Sequence, residues 1–273
     1  MRKALTGVSN NVSQNIDKIK VWAHSFMKHV PEGEVTLIAV DVTPEDIHAL
    51  KSNGIKFHAI GSTPGVTIND SRLIHTANWI NDSSCDLFMV TDVFDVCFQS
   101  DPFEMMDLEQ YDFFAASEGV LHNQEPWNMD VARKAFSRYA EYLGPFEVIC
   151  SGVMGGKKDA MIKVLTQMQK TVDVSPRLHD IRDQGALNVL IHYNLIKNCK
   201  IFKPNEGWAV HCSLSGPTFQ HIEWGLGKII NEKYGLPKLY ENVLLTHDNK
   251  PYAIAHQYNR IPEWNEKIIA QYV

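Results

Sequence analysis

The sequence predicts an α/β fold, with a mostly parallel central sheet and helices on both of its faces. Over the first sixty residues, apolar runs alternate with segments of helical period in the order βαβαβ, and this alternation is typical of parallel sheets with right-handed crossovers. The 273 residues are 44% hydrophobic and 21% charged, as in ordinary globular proteins. No linker, repeat or low-complexity stretch divides them, so residues 1–273 are predicted to form one domain.

The order of elements follows from periodicity and from residues that begin or end helices. Apolar residues at 16–26 recur at helical spacing, and Thr43 and Gly54 are placed to cap and to end the next helix. Gly155 and Gly156 indicate a break after a late strand. The predicted strands lie at 3–8, 33–41, 55–61, 87–90, 111–116 and 146–154. Further helices are predicted at about 71–81, and at 131–143, 159–172 and 183–191.

Charge and hydropathy exclude several classes of protein. The formal net charge of -6 argues against nucleic-acid binding, which draws its affinity from clustered Lys and Arg. No apolar run approaches the roughly 18 residues that span a bilayer, and the N-terminal residues do not resemble a signal peptide. We therefore expect a cytoplasmic protein, or a soluble domain excised from a longer chain. The five cysteines are scattered, which favours reduced thiols.

The apolar run at 87–90 leads into two acidic residues, Asp92 and Asp95. Ligands of parallel sheets bind beyond the carboxyl ends of the strands, so these side chains lie where a site is expected. Two carboxylates at this spacing can converge on one hard cation, which would offset the charge of a diphosphate. On spacing alone the alternative stays open that both residues only cap a turn or a helix.

Residues 91–103, TDVFDVCFQSDPF, resemble the metal-binding segment of GT-A nucleotide-diphospho-sugar transferases. The form T-D-x-x-D-V is similar to the variant DxD motif in the glycosyltransferase domain of multifunctional lysyl hydroxylases, and FQSDPF is similar to plant and algal sugar transferases. The resemblance implies a GT-A (Rossmann-like) domain that holds a UDP-sugar through Mn²⁺ (or Mg²⁺) bound by Asp92 and Asp95. It also implies a late histidine as third ligand, which His256 in AHQYNR matches; the alternative for His256 is a packed core histidine.

Five further residues are candidates for donor binding. The family places its nucleotide pocket in the loop after the first strand, and Thr6, Gly7 and Val8 match that position; a simple strand-end turn is the alternative. Arg72 resembles the basic residue that contacts donor phosphate or sugar, and its alternative is an exposed charge that opens a helix. Arg260 follows His256 by four residues, and its guanidinium group suits a diphosphate.

Two later segments resemble the parts of the family that contact the sugar. ICSGVMGGKKDA contains Ser151 and Gly152, whose small size permits close approach of a ligand; the alternative is a tight turn. Asp183 and Gln184 resemble the D-Q pair beside the reacting carbon. There a carboxylate is either a general base in an inverting enzyme or a stabiliser of oxocarbenium character in a retaining one. The alternative for the pair is a helix cap and an exposed amide.

The function predicted from these segments is transfer of a sugar from a UDP-sugar to a hydroxyl acceptor, either a glycan or a protein-linked sugar. A sugar-nucleotide or glycan-binding domain without turnover is the alternative. A nucleotidyltransferase is less favoured, because TGVSNNVSQN lacks a basic residue. Acceptor contacts are expected in the aromatic C-terminal third as a region, although core packing is favoured for most of its members, which are Trp208, His211, His221, Trp224 and Tyr258.

Overall fold

The computed structural model describes residues 1–179, 181–215 and 225–273. In these ranges the strands are β1 Lys3–Ser9, β2 Glu34–Val40, β3 Lys56–Ile60, β4 Leu87–Thr91, β5 Val96–Phe98, β6 Phe113–Leu121, β7 Glu147–Lys157, β8 Cys199–Phe202, β9 Ala209–His211, β10 Lys238–Tyr240, β11 Val243–Leu245 and β12 Ile254–His256. The helices are α1 Ile16–His29, α2 Pro44–Ser52, α3 Ile68–Asp82, α4 Pro126–Ala135, α5 Ser137–Leu143, α6 Lys158–Asp173, α7 Asp183–His192, α8 Cys212–Ser215, α9 Leu226–Tyr234 and α10 Pro262–Ile269.

Seven strands form the central sheet in the order β3-β2-β1-β4-β7-β6-β8. Strands β1 to β4 run parallel to one another, β7 is antiparallel to β4 and to β6, and β8 is parallel to β6. Alternate residues of β4 enter different cores: Phe88 packs with α3 and α6, whereas Met89 packs with α1. Burial on both faces explains why β4 is a continuous apolar run. The predicted fold class is confirmed.

Local signals placed α2 correctly. The Thr43 hydroxyl accepts a hydrogen bond from the backbone of Asp46 (3.1 Å), and the Asp46 carboxylate accepts one from the backbone of Thr43 (3.0 Å). This reciprocal pair satisfies two amides that the helix itself leaves without partners. Gly54 has a φ of +67°, a conformation that glycine adopts without strain. Both signals depend on residues that are close together in the sequence, so the sequence alone was enough to predict α2.

Helix α3 begins earlier than predicted. Thr67 caps it by accepting a hydrogen bond from the backbone of Asp70 (3.2 Å), so the helix starts at Ile68 and not near Ser71. The prediction that Arg72 opens this helix was therefore wrong. Arg72 lies in the second turn of α3, and its side chain is directed into the protein, where it pairs with two carboxylates.

The predicted break at Gly155 and Gly156 was also wrong, because both residues continue β7 to Lys157. A Cβ on Gly155 would lie 2.6 Å from Met106 Cε and 2.7 Å from Met89 Sδ. One on Gly156 would lie 2.4 Å from the carbonyl oxygen of Asp112. Both glycines serve close packing across the strand and not a turn.

The helix predicted at residues 131–143 is two helices, α4 and α5. The chain leaves helical geometry at Phe136 (φ -133°, ψ 43°). The Phe136 side chain is buried, and a Cβ on Gly185 of α7 would lie 2.3 Å from its ring. The break thus lets one aromatic ring pack against a glycine of another helix, which no residue within 131–143 indicates.

A small three-stranded sheet, in the order β5-β12-β9, carries the end of the chain to the carboxyl end of β4. In its register His256 is opposite Val96 on β5 and opposite His211 on β9. At the same edge the backbone of Asp92 donates to the carbonyl of Gly152 on β7 (2.8 Å). Three segments distant in sequence therefore meet where the sequence predicts a ligand.

Glu147, at the start of β7, should contribute to stability by a charge effect. It accepts hydrogen bonds from Lys203 (2.7 Å), Lys233 (2.5 Å) and Ser117 (2.5 Å). Burial opposes ionisation, but these donors lower the pKa of Glu147 from 4.5 to about 2. That difference corresponds to at most about 3 kcal/mol, and screening of the half-exposed lysines reduces it to about 1–2 kcal/mol.

We therefore expect Glu147→Gln to lower the free energy of unfolding by about 1–2 kcal/mol at pH 7. Because the folded-state pKa is depressed, the contribution is complete above about pH 4.5 and is lost as the pH falls towards 2. Urea unfolding across this range measures it. The exposed pair of Glu263 with Lys267 gives the control Glu263→Gln, for which little change is expected. If the loss in free energy of unfolding caused by Glu147→Gln does not change with pH, Glu147 does not stabilise the protein through its charge.

Candidate active site

Asp92, Asp95 and His256 converge at the carboxyl end of β4. His256 Nε2 lies 3.2 Å from Asp92 Oδ2 and 3.6 Å from Asp95 Oδ1. One donor atom from each residue lies within 4.8 Å of the other two. Two carboxylate oxygens and one imidazole nitrogen at this separation are a donor set that fits Mn²⁺, or Mg²⁺ less closely.

The surroundings of this triad fit a cation better than a purely structural cluster. His256 is buried, and its Nε2 lies near two carboxylate oxygens without the alignment of a hydrogen bond to either, an arrangement that a cation among the three atoms would satisfy. Gly152 faces the triad from β7, and a Cβ there would lie 2.5 Å from His256 Cε1 and 2.6 Å from Asp92 Oδ2. The glycine thus keeps open the space in which the donor atoms meet.

Arg72 links the triad to the start of α7. Its guanidinium group pairs with Asp92 and with Asp183, and Nη2 lies 3.4 Å from Ser151 Oγ. Ser151 in turn donates to Asp183 Oδ2 (3.3 Å). Asp183 is fully buried, and its Oδ1 has no hydrogen-bond partner in the described part of the chain. Four of the predicted residues therefore form one connected network.

Gln184 adopts an arrangement that the sequence did not predict. Its Oε1 accepts from the backbone of Ser151 (3.1 Å), and its Nε2 donates to Glu118 Oε1 (3.0 Å) and Asn128 Oδ1 (2.8 Å). Both ends of the amide are thus held by the protein, and Gln184 is not an exposed amide. Its catalytic role stays a prediction.

A second group of polar side chains adjoins the triad through His256. His211 Nε2 lies 2.8 Å from Cys150 Sγ and 3.2 Å from Glu118 Oε1. Cys150 Sγ is also 3.4 Å from His256 Nδ1. The two nitrogens of the His256 ring therefore face different environments, with carboxylates at Nε2 and a thiol at Nδ1.

The pKa values of Asp92 and Asp95 are shifted in opposite directions. Burial alone would raise the pKa of Asp92, but the charge of Arg72 and the nearby His256 hold it well below its ordinary value. Burial and the charge of Asp92 raise the pKa of Asp95. Burial would lower the pKa of His256, yet the two carboxylates raise it. Asp92 is thus ionised by its protein neighbours, whereas Asp95 is the carboxyl that a cation would most help to ionise.

Burial and neighbouring charges also oppose each other in their effect on the pKa values of His211 and Glu118. Burial lowers the pKa of His211, but Cys150 and Glu118 raise it to about 10. Burial likewise works against ionisation of Glu118, and the nearby His211 brings the pKa of that carboxyl below its ordinary value. Glu118 is therefore a buried carboxylate with a cationic neighbour.

The predicted nucleotide-binding residues are not in a loop. Thr6, Gly7 and Val8 belong to β1, which continues to Ser9, so that placement was wrong. A Cβ on Gly7 would lie 2.6 Å from the carbonyl oxygen of Thr91, which means that the glycine permits β1 and β4 to pack closely. Donor binding by these three residues stays a prediction.

Arg260 lies at the mouth of the cleft that contains the site. It follows β12 in a short 3-10 helix and is exposed. The cleft has a volume of about 390 Å³. It is lined by Asn69, Arg72, Asp92, Glu118, Glu125, Trp127, Asn128, Cys150, Ser151, Gly152, Ile181, Asp183, Gln184, His211, Ser213, Leu214, His256, Gln257 and Arg260.

A larger cavity, of about 790 Å³, lies near the opposite ends of the strands. Its polar lining consists mainly of lysines with Asp86, Asp112 and Asp159, and Asp112 is paired with Lys157. None of the carboxylate and histidine groups described above contributes to it. The cleft at the carboxyl ends of the strands is therefore the candidate active site.

Two aromatic residues of the C-terminal third lie in the core, as expected for most of them. Trp208 and Tyr258 are fully buried, so their rings belong to the core and not to a sugar-stacking surface. His221 and Trp224 lie outside the described residues. Trp127 of α4, which the sequence analysis did not select, lines the cleft and is 38% exposed, so it is available for contact with a sugar face.

Glu118 was missed although the sequence contains a signal for it. It is an acidic residue within the apolar strand FFAASEGVL, and a charged residue in a buried strand needs a partner or a function. Cys150 was also missed, although it lies within the segment ICSGVMGGKKDA. Its contact with His211 depends on the pairing of β9 with β12, which local sequence does not specify.

The structure is similar to those of solved glycosyltransferases. An active-site glutamine-to-glutamate variant of LgtC matches with a TM-score of 0.57 and 13% identity, over 97% of this chain and 94% of that chain. The galactosyltransferase LgtC in complex with donor and acceptor sugar analogues matches with a TM-score of 0.56 and 13% identity, over 98% and 95%. The glycosyltransferase GlyE of Streptococcus pneumoniae matches with a TM-score of 0.57 and 14% identity, over 99% of this chain and 63% of that chain.

This chain thus spans somewhat under two thirds of the GlyE chain and nearly all of LgtC. No protein-family model and no curated sequence matches it. Within the described ranges, every helix is too short or too polar to cross a membrane. The structural matches establish that the chain has the fold of GT-A glycosyltransferases.

Proposed function

We propose that this chain is a metal-dependent glycosyltransferase that moves a sugar from a UDP-sugar to a hydroxyl group of a glycan or of a protein-linked sugar. The observation that carries the proposal is the convergence of the buried His256 Nε2 with Asp92 and Asp95 at the carboxyl end of β4, where Gly152 leaves space between them. The similarity in fold to solved glycosyltransferases, one of them with donor and acceptor sugar analogues, supports it.

Asp92, Asp95 and His256 would hold Mn²⁺ or Mg²⁺. The bound cation would offset the negative charge of the departing UDP, which is a large part of the barrier to breaking the glycosidic bond. The protein contributes the fixed geometry. Gly152 leaves room for the donor atoms, and Arg72 orients Asp92 from the opposite side.

Two arginines, Arg72 and Arg260, line the cleft and supply positive charge to it. Arg72 is held within hydrogen-bond distance of Asp183 and Ser151, so it is oriented before any donor binds. Arg260 is exposed at the mouth of the cleft, where a guanidinium group can pair with a phosphate without first being desolvated. In a chain with a net charge of -6, such local cations are needed to bind an anionic donor.

Asp183 is the proposed carboxylate beside the reacting carbon. It begins α7, is buried beneath the cleft, and keeps one carboxylate oxygen without a hydrogen-bond partner among the described residues. Its position beside Ser151 and Arg72 suits either proton removal from the acceptor hydroxyl or stabilisation of positive charge on the sugar. Both roles require the carboxylate charge.

We therefore expect Asp183→Asn to lower kcat by about 100-fold while the KM for the donor changes by only a few fold. The amide retains the shape of the side chain and a hydrogen bond with Arg72, but lacks the charge. Steady-state kinetics with a UDP-sugar measures both constants. Asp159 also lies in the first turn of a helix, and Asp159→Asn is the matched control. A change confined to KM would assign Asp183 to donor recognition.

The proposed function is tested by thermal-shift and hydrolysis screens of UDP-sugars and GDP-sugars, each with and without Mn²⁺. The expected result is that one UDP-sugar raises the melting temperature only with Mn²⁺ and is slowly hydrolysed. Stabilisation by a nucleotide-sugar without hydrolysis, or without transfer to any tested hydroxyl acceptor, would favour a binding domain. Release of pyrophosphate from a nucleoside triphosphate and a sugar phosphate would favour a nucleotidyltransferase.

A further inference from the structure

The group formed by Cys150, His211 and His256 has the composition of a second, softer metal site. Its donor atoms are the thiol of Cys150, Nε2 of His211 and Nδ1 of His256, and Glu118 adjoins them with Oε1 at 3.2 Å from His211 Nε2. All four side chains are nearly buried, and all four line the cleft. One atom each from Cys150, His211 and His256 lies within 4.8 Å of the others.

One donor distance is close to that of a zinc site and one is shorter. Zinc bond lengths predict a separation of about 3.6 Å between a sulfur and a nitrogen ligand, and Cys150 Sγ lies 3.4 Å from His256 Nδ1. The distance of 2.8 Å between Cys150 Sγ and His211 Nε2 would have to widen by about 0.8 Å.

The backbone also favours a negatively charged sulfur. The amide of Gly152 donates to Cys150 Sγ over 3.3 Å, and hydrogen bonds to a ligand atom orient it and tune its charge. Glu118 Oε1 is held by Gln184 Nε2 at 3.0 Å. Cys150 and the Glu118 carboxylate beside His211 are thus positioned by neighbouring groups.

We propose that Cys150, His211 and His256 bind a thiophilic divalent cation, Zn²⁺ being the natural case, at a site distinct from the one formed by Asp92 and Asp95, with Glu118 as the carboxylate beside His211. Thiolate and imidazole ligands select such cations, whereas the two aspartates suit harder ones. Binding requires loss of the thiol proton of Cys150 and of the proton that makes His211 cationic, and both protons leave to solvent through the cleft. The site does not depend on transferase activity.

The two sites share His256, and this makes them antagonistic. A neutral imidazole has one nitrogen with a free lone pair and one that carries hydrogen. When Nδ1 binds a soft cation, Nε2 carries the hydrogen and faces the two carboxylates as a donor. When Nε2 binds a hard cation, the hydrogen lies on Nδ1 and is donated to the sulfur. Zn²⁺ is therefore expected to displace Mn²⁺, and Mn²⁺ is expected to displace Zn²⁺.

Cobalt tests the site directly, because Co²⁺ bound to a thiolate gives a charge-transfer absorption in the near ultraviolet that oxygen and nitrogen ligands do not give. We expect the full chain, titrated with Co²⁺ under reducing conditions, to show this band at one ion per chain, and Zn²⁺ to abolish it. Cys150→Ser should lack the band. Glu118→Gln should keep it with an affinity about 10-fold lower.

Two controls separate this site from its neighbours. Cys212→Ala removes a buried cysteine directly after His211 and should keep the band, as should Asp95→Asn. Absence of the band in the unmodified chain, or its persistence in Cys150→Ser, would overturn the proposal. An excess of Mn²⁺ should weaken Co²⁺ binding at least 10-fold, and an unchanged affinity would refute the antagonism through His256.

Inhibition is a separate consequence that rests on the proposed function. If the chain transfers sugar with Mn²⁺, micromolar Zn²⁺ should inhibit it, and the inhibitory concentration should rise at least 10-fold in Cys150→Ser, measured relative to that variant's own rate. If no transfer is detected with any donor, the cobalt band still decides the metal site. The two proposals can therefore fail independently.

Discussion

Replacing Asp92 by alanine should lower Mn²⁺-dependent turnover of a UDP-sugar by about 1,000-fold or more, while the protein stays folded. Asp92 offers one carboxylate oxygen to the metal position beside His256 and the other to Arg72. The variant therefore loses a metal ligand and the contact that orients the arginine. Removal of a single electrostatic stabiliser of a transition state commonly costs 100- to 1,000-fold, and here two are affected together.

The structure explains why Asp92→Ala is expected to stay folded. Asp92 is partly exposed, and Arg72 keeps its pair with the buried Asp183, so no buried charge is left without a partner. Titration calorimetry with Mn²⁺ and a thermal melt distinguish lost metal binding from lost structure. Asp248, an exposed residue in a turn, supplies the control Asp248→Ala. Turnover that survives in Asp92→Ala, and still requires Mn²⁺, would remove Asp92 from the metal site.

The fold was largely predictable because its signals are local and periodic. The cap at Thr43 needs only a partner three residues later, and the continuous apolar run of β4 reports burial on both faces. The errors arose where tertiary packing overrides local preference. Phe136 interrupts a helix in order to pack against Gly185, and Gly155 extends a strand in which Met106 leaves no room for a side chain. Neither partner is near in sequence.

The same distinction applies to the candidate site. The strand that leads into Asp92 and Asp95 was identified from its pattern, and its position at the ligand edge followed from the parallel sheet. His256 was identified only through resemblance to a family. The contacts of Cys150 and Glu118 with His211 depend on how β9 and β12 are aligned. Such alignment is decided by packing over the whole sheet and leaves no local signal.

The geometry of the site also explains why His256 contacts both the carboxylates of the proposed metal site and a thiol. β12 is held between β5 and β9, so the His256 ring has carboxylates on one side and Cys150 on the other. Gly152 makes this possible, because its amide donates to the sulfur while its missing side chain leaves space for the ring. Substitution of this glycine should therefore affect the metal site strongly.

Gly152→Ala should lower the affinity for Mn²⁺ by about 10- to 100-fold, although no ligand is removed. The added methyl group would lie 2.5 Å from His256 Cε1, 2.9 Å from His256 Nε2 and 2.6 Å from Asp92 Oδ2. His256 is buried and cannot retreat, so Asp92 must turn away from the metal position. Overpacking of this kind also costs about 1–3 kcal/mol of stability, which a thermal melt would report separately.

Titration calorimetry with Mn²⁺ measures the affinity, and the site gives a control of the same chemistry. A Cβ on Gly61 would meet no atom within 4 Å, so Gly61→Ala should bind Mn²⁺ as the unmodified chain does. If Gly152→Ala binds Mn²⁺ within twofold of the unmodified chain, the donor atoms do not converge at this position. Suppose instead that Gly152→Ala binds Mn²⁺ more weakly and Gly61→Ala binds it normally. The triad then holds its cation only if residue 152 has no side chain, so the three ligands alone do not determine the affinity.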